Sequence, residues 1–343
     1  MSTDTITDLL HEVADAVEPG DRLDAIRVAT AGGGRRTGKG WWAAGGVGLV
    51  AASVVTALAL TTGGTPRVSE PDPAEGSTNI TDPPPAATAT VPVYYVGETW
   101  DGPRLFREFR PLATTSEADA LAVAADAAVG SASNGTPLDA LDPDYSPRWP
   151  EGTRATARVV PGEDRIEVDV SSDRGTDLTL PQLASGYASA LSVEALVRTV
   201  QGVVGSRLPV RVLVDGQVAD QVLGVPTSED LVTSRDLDVL AQVNLSDPFE
   251  GQVVDNDDRF VVNGVGNSFE GNIVTSVTTF DGRDVIGPRS AIAGWEEERL
   301  YPWSVTLDLG DVPPGDYVVR ARTDDPSGAG NVYEDSRTIT VVD

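Results

Sequence analysis

The chain has 343 residues, 40% of them hydrophobic, and a net charge of −28, with no Cys and a single His, His11. Disulfides, thiolate metal sites, Cys nucleophiles and a lipid-modified Cys are therefore excluded. No Ser-His-Asp triad or His-based metal site can be assembled beyond residue 11 without a second chain. The length allows two or three domains with real cores.

From the N-terminus, Asp4 to Val17 predicts an amphipathic helix, with Ile6, Leu9, Leu10, Val13 and Val17 on one face. Pro19-Gly20 ends it, and Asp21 to Ala29 can form a second short helical turn. This segment resembles the cytoplasmic heads of single-pass actinobacterial membrane proteins, some anti-sigma factors among them. Both a partner-binding head and a merely solvated helix fit it. The AGGGRRTGKG that closes residues 1–40 is a juxtamembrane link and not a phosphate loop, because no strand precedes it.

Trp41 to Leu60 is twenty residues without a charge. As a helix it is about 30 Å long, the thickness of a bilayer's hydrocarbon core. Arg35, Arg36 and Lys39 precede it and no base follows until Arg67, so the expected topology is N-terminus in the cytoplasm and C-terminal region outside. A buried core helix seldom runs this long without a polar face. A cleaved signal peptide remains the rival, since Ala57-Leu58-Ala59 imitates a cleavage site, although the forty residues before the span are long for a signal's charged region. Gly48, Ala52 and Thr56 recur at four-residue spacing, which allows a homodimer through the membrane helix.

Of the chain's 53 acids and 25 bases, seven and five lie in residues 1–40, leaving 46 and 20 beyond the span and a net charge of −26. Such a surface repels nucleic acid. Residues 61–90, rich in Pro, Thr and acids, read as an extended tether.

Residues 91–225 read as a first folded module. Two strands, VPVYYVG and RLFREFRPL, flank the turn at Asp101-Gly102-Pro103. A helix from Glu117 to Val129 follows, with Ser116 as its N-cap. Arg154 to Val160 and Ile166 to Val170 alternate as a hairpin with one wet face. Val193, Leu196, Val197, Val200 and Val204 stripe a second helix, and Val210, Val212 and Val214 share a face of the closing strand. The order predicts an α/β (α+β) module with helices on one mixed sheet. VPVYYVG, RLFREFRPL, TRATARVV…RIEVDVS and EALVRTVQGVVGSRLPVRVLVDGQ resemble the GerMN domain of sporulation and spore-germination proteins. Many such proteins are lipoproteins; a chain without Cys departs from that pattern.

An acidic linker, residues 226–239, leads to residues 240–343, where short alternating strands and close turns predict an all-β immunoglobulin-like sandwich of about seven strands. Trp303, Val305, Leu307 and Leu309 share one face, as do Tyr317, Val319 and Ala321, and Ile339 and Val341. VNLSDPFEGQVV and FVVNGVGNSFEGNIVTSVTTFDGRDV resemble the Gmad2 immunoglobulin-like domain of bacterial spore germination. The triplet Phe269-Glu270-Gly271 before an alternating strand carries most of that resemblance and is the candidate binding motif.

Three acidic clusters, Asp255 to Asp258, Glu296 to Glu298, and Asp324-Asp325 with Glu334-Asp335, lack EF-hand spacing and read as solvated turn charge. No metal or cofactor is expected. Glu250 and Glu270, each in an FEG triplet, fit a backbone-bonding role at a strand start better than an acid–base pair. Tyr94, Tyr95, Trp100, Trp149, Trp295 and Tyr301 could stack on sugar faces or fill a core. The expected function is a non-enzymatic, membrane-anchored envelope protein that binds cell-wall peptidoglycan or envelope proteins. The alternatives are a carboxylate-based peptidoglycan hydrolase and a transmembrane regulator acting through its cytoplasmic head.

Overall fold

The computed structural model describes residues 87–343, apart from 115, 131, 134–135, 138, 182–185, 257–258, 296–298 and 326–329. The expected cytoplasmic head, the Trp41–Leu60 span with its dimer spacing, and residues 61–86 of the tether lie outside the described residues. Among the described residues no helix is long and apolar enough to cross a membrane.

The first module opens with a long hairpin, β1 (Ala87–Thr99) and β2 (Gly102–Thr114), paired antiparallel along its whole length. It starts inside the stretch read as tether: Ala89 and Val91 alternate inward beside Val93 and Tyr95 and are buried with them. Helix α1 (Glu117–Ala128) begins where expected, its Ser116 side chain accepting the Asp119 N–H at 3.1 Å. β3 (Tyr145–Ser146) pairs with β1. β4 (Thr153–Val159) and β5 (Ile166–Ser172) form the predicted hairpin, with Ile166, Val168 and Val170 fully buried. Helix α2 (Gly186–Val204) carries the predicted stripe, and β6 (Val210–Val214) lies parallel to β5, with β7 (Gln217–Val218) at its side.

The single mixed sheet expected for this module is divided among the described residues into two main sheets, β2-β1-β3 and β4-β5-β6-β7, with two short two-stranded pairs beside them. α1 packs against α2, β1, β2 and β4, and its Asp126 accepts the Ala155 N–H at the free edge of β4, closing that edge to further pairing. One apolar core still runs through both sheets and both helices.

Residues 226–239 are acidic, as read, but do not hang free. Thr227 is fully buried, Leu231 and Val210 exchange backbone hydrogen bonds, and Asp236–Val239 forms a helical turn, α3. Arg198 of α2, almost wholly buried, binds Asp236 and the Ser234 carbonyl, while Glu194 accepts the Ser234 N–H. Asp236 of this stretch thus serves as a partner for a buried cation.

Among the described residues the second module has eight strands: β8 (Val243–Asp247), β9 (Gln252–Asp255), β10 (Arg259–Gly266), β11 (Asn272–Thr278), β12 (Asp284–Ile292), β13 (Tyr301–Asp308), β14 (Gly315–Asp324) and β15 (Val332–Val342). They form sheets β8-β10-β13 and β9-β15-β14-β11-β12 over a shared core that includes Trp303, Leu307, Leu309, Tyr317, Val319, Ala321, Ile339 and Val341, as the alternation predicts. The strand beyond the expected seven is the four-residue β9, which runs parallel to β15.

Candidate functional site

Two places combine unusual chemistry with defined geometry. The first is the turn carrying Phe269-Glu270-Gly271. Ser268, buried, accepts the Asn272 N–H at 3.1 Å and the Thr323 hydroxyl at 2.7 Å, while Gly271 donates to the Ser268 carbonyl. Gly271 sits at φ +65°, and a Cβ there would meet the Ala293 carbonyl oxygen at 2.8 Å, so glycine is required on two counts. Phe269 and Glu270 occupy the tip of this fixed turn and face solvent. Phe269 meets Trp295 edge-on at 5.9 Å between ring centroids, and Ile292 stands exposed nearby at the end of β12. These residues leave 64%, 63% and 89% of their surface in water, an unusual outlay of apolar area on so acidic a chain.

Glu250 and Glu270, both expected to bond backbone at a strand start, differ in what they do. Glu250 accepts the Thr338 N–H at 2.7 Å where β9 joins the sheet, the backbone role expected of an FEG glutamate. Glu270 is exposed and has no hydrogen-bond partner among the described residues. Of the six aromatic residues considered for stacking on sugars, Tyr95 and Trp149 are core and Tyr94 and Tyr301 half-buried; Trp100 and Trp295 are exposed.

The second place is the joint between the modules, invisible to motif reading. Val96, Leu105, Leu191 and Ala195 of the first module close over Val239 and Leu240 in an apolar seam. The Ala241 N–H donates to the Leu105 carbonyl at 2.9 Å, and the Arg107 N–H donates to Asn244 Oδ1 at 3.0 Å, which caps the free edge of β2. Beside this seam lies a buried charge cluster. Arg337 of β15, 3% exposed, binds Asp142 of the first module at 2.8 Å and Asp335 of its own strand at 2.6 Å. The same nitrogen lies 2.8 Å from the Tyr145 hydroxyl, which itself donates to Asp335. Asp335 also accepts the Leu245 N–H at 2.6 Å. Asp335 had been read as solvated turn charge; it is buried because it stands on the inward face of β15, alternating with Tyr333 and Arg337.

Burial pushes the Asp142 carboxyl up to about 7, against the opposing pull of Arg337. Burial also raises Tyr145, with Asp335 adding to it. Burial alone would lower Arg337; Asp335, Tyr145 and Asp142 hold it above its ordinary value.

A cleft of about 950 Å³ lies open between Leu178, Val214, Val218, Asp177, Asp215 and Asp220 of the first module. Among the described residues no three His, Asp or Glu side chains are grouped to hold a metal.

The family described as "Sporulation and spore germination" matches residues 92–220, and the "Immunoglobulin-like domain of bacterial spore germination" matches residues 242–330. The chain carries a GerMN domain followed by a Gmad2 domain. Neither family is known for a catalytic activity. The GerMN match ends at Asp220 and the Gmad2 match begins at Gln242, so the strapped segment and helical turn α3 lie between them. Among solved structures the chain is similar to the tandem GerMN domains of the sporulation protein GerM from Bacillus subtilis, at 15% identity and TM-score 0.31, over 46% of this chain and 49% of that one. It thus spans about half the length of that structure. It is also similar to CopC from Methylosinus trichosporium OB3b, at 18% identity and TM-score 0.19, over 29% of this chain and 92% of that one. No curated protein sequence matches.

Proposed function

We propose that the chain is a non-enzymatic envelope protein, held in the membrane by Trp41–Leu60, whose outer GerMN and Gmad2 domains bind cell-wall polymer or an envelope partner. The observation that carries the binding reading is the Phe269–Trp295 pair with Ile292. Its turn is fixed from below by Ser268 and Gly271, so little is lost on binding to order it. Aromatic faces and edges held this way suit the apolar faces of sugars or an apolar partner surface. With a net charge of −26 beyond the span, the ligand is neutral, cationic or cation-bridged.

Full-length protein in detergent should co-sediment with purified sacculi or retain a cross-linked envelope partner. Trp295→Ala with Phe269→Ala should weaken that association by about tenfold or more, the loss of roughly 1.4 kcal/mol or greater that an anchor residue carries. Undiminished binding by the double variant would remove the assignment to this turn. Release of muropeptides by the wild type would replace it with the hydrolase reading.

The one-sided charge step around Trp41–Leu60 supports the anchor. Protease added to intact spheroplasts should remove a C-terminal epitope and spare an N-terminal one. A soluble product beginning near Thr61 would instead establish cleavage.

A further inference from the structure

At the joint between the GerMN and Gmad2 domains one guanidinium nitrogen faces more acceptors than it has hydrogens to give them. Arg337 Nη1 carries two hydrogens and faces four acceptors: Asp142 at 2.8 Å, Asp335 at 2.6 Å, the Tyr145 hydroxyl at 2.8 Å and the Ser336 carbonyl at 2.6 Å. Asp335 has independent donors, the Tyr145 hydroxyl on one oxygen and the Leu245 N–H on the other. Asp142 is served less well. One of its oxygens accepts the Asp144 N–H at 2.8 Å, but the other has only its share of Arg337. Two carboxylates against one guanidinium also leave one buried negative charge uncompensated.

The surroundings deepen that excess. From the loop before β3 comes Asp144, and from β3 itself Tyr145. From β2 comes Glu108, whose carboxylate accepts the Asp142 N–H and is itself paired with Arg110. From β15 come Asp335 and Arg337, and from the turn before β9 comes Glu250, which adds to the negative field at Asp142. Arg337 and the already paired Arg110 are the cations among them.

We propose that this joint is a proton-operated clamp: with Asp142 protonated the two domains are held as one body, and with Asp142 ionised the joint opens. The inference stands apart from the binding assigned to the Phe269 turn. The sign follows from linkage. In the joined form burial holds the Asp142 carboxyl near 7, whereas in an opened, hydrated joint it returns to the ordinary carboxyl value of 3.8. Between those values the joined form binds a proton that the open form does not. The joint is therefore strongest below the ordinary carboxyl range and weakens as pH rises to about 7, by about tenfold in the open-to-joined ratio per pH unit. Ionising Asp142 adds the buried charge; protonating it leaves Arg337 and Asp335 as a balanced pair.

The absence of Cys makes the test direct. Val218→Cys and Phe280→Cys place one thiol on an exposed side chain of each domain, and spin labels there report the inter-domain distance in the full chain in detergent. Between about pH 5 and about pH 8 the distance distribution should pass from one narrow population to a mixture with a second, longer one. The open-to-joined ratio should rise by about a hundredfold. In the same background Asp142→Asn, an isostere without the titration, should stay narrow at both pH values, while Asp144→Asn should respond as wild type does. An unchanged wild-type distribution would overturn the clamp. So would an Asp142→Asn chain that still responds to pH or is open throughout, or loss of the response in Asp144→Asn.

Discussion

Replacing Arg337 with methionine should cost about 3–5 kcal/mol of stability, the loss seen when one partner of a buried ion pair is removed and the other charges stay behind. Asp142 and Asp335 are 3% and 4% exposed, and the guanidinium is their shared counter-charge. Methionine has nearly the right length but offers neither hydrogen bonds nor charge, so two carboxyls compete for Tyr145 and backbone donors. Urea unfolding near pH 5, where the joint is closed, should show a lowered midpoint, and adding Asp335→Asn to Arg337→Met should recover part of the loss, because the stranded partner charge of Arg337 is gone. A single-variant loss below about 1 kcal/mol, the scale of a surface pair, would mean that water reaches the cluster and that the joint is not a sealed contact.

Why this cluster escaped the sequence is instructive. In β15 the inward positions are Tyr333, Asp335, Arg337, Ile339 and Val341. The alternation of Ile339 and Val341 was legible because apolar residues at period two announce a buried face. The same register carried two positions toward the N-terminus places an acid and a base inward, and there the charge masks the pattern. Asp142, some 190 residues away in a loop, has no local signature at all. The helices and hairpins were legible for the opposite reason: Ser116, the stripe of α2 and the alternation of β5 each act within a few residues of themselves. The division of the GerMN sheet was not legible, since it depends on long-range packing of α1 and on Asp126 reaching the edge of β4. For the candidate binding motif, sequence picked out Phe269, Glu270 and Gly271 together, and the structure gives them different work: Gly271 and the unremarked Ser268 hold the turn, Phe269 is displayed with Trp295 and Ile292, and Glu270 stands in water. The partnership of Phe269 with Trp295 depends on β12 returning beside β11, which no local pattern encodes.

Gly264→Ala should be among the most damaging single changes in the Gmad2 domain, although it adds one methyl group. Gly264 lies mid-way along β10, the central strand of the three-stranded sheet, between Leu245 on one side and Trp303 on the other. A Cβ at this position would stand 2.0 Å from the Asn244 carbonyl oxygen and 2.8 Å from Trp303 Cζ2. The ring can shift; the carbonyl belongs to the backbone of β8 and cannot turn away without breaking the ladder. That strand also holds the Leu245 N–H on Asp335 and the Asn244 side chain on Arg107, so displacing it pulls on the inter-domain joint as well. Overpacking a core costs about 1–3 kcal/mol where side chains absorb it. Here the contact is with main chain, and the expected loss lies at or above the upper end of that range. Thermal unfolding of the variant should show the Gmad2 domain melting well below wild type, with the amides of β8 and β10 losing protection from hydrogen exchange before those of β14 and β15. A variant within about 0.5 kcal/mol of wild type, the ordinary scale of a surface substitution, would show that β8 lies farther from β10 than this close approach requires.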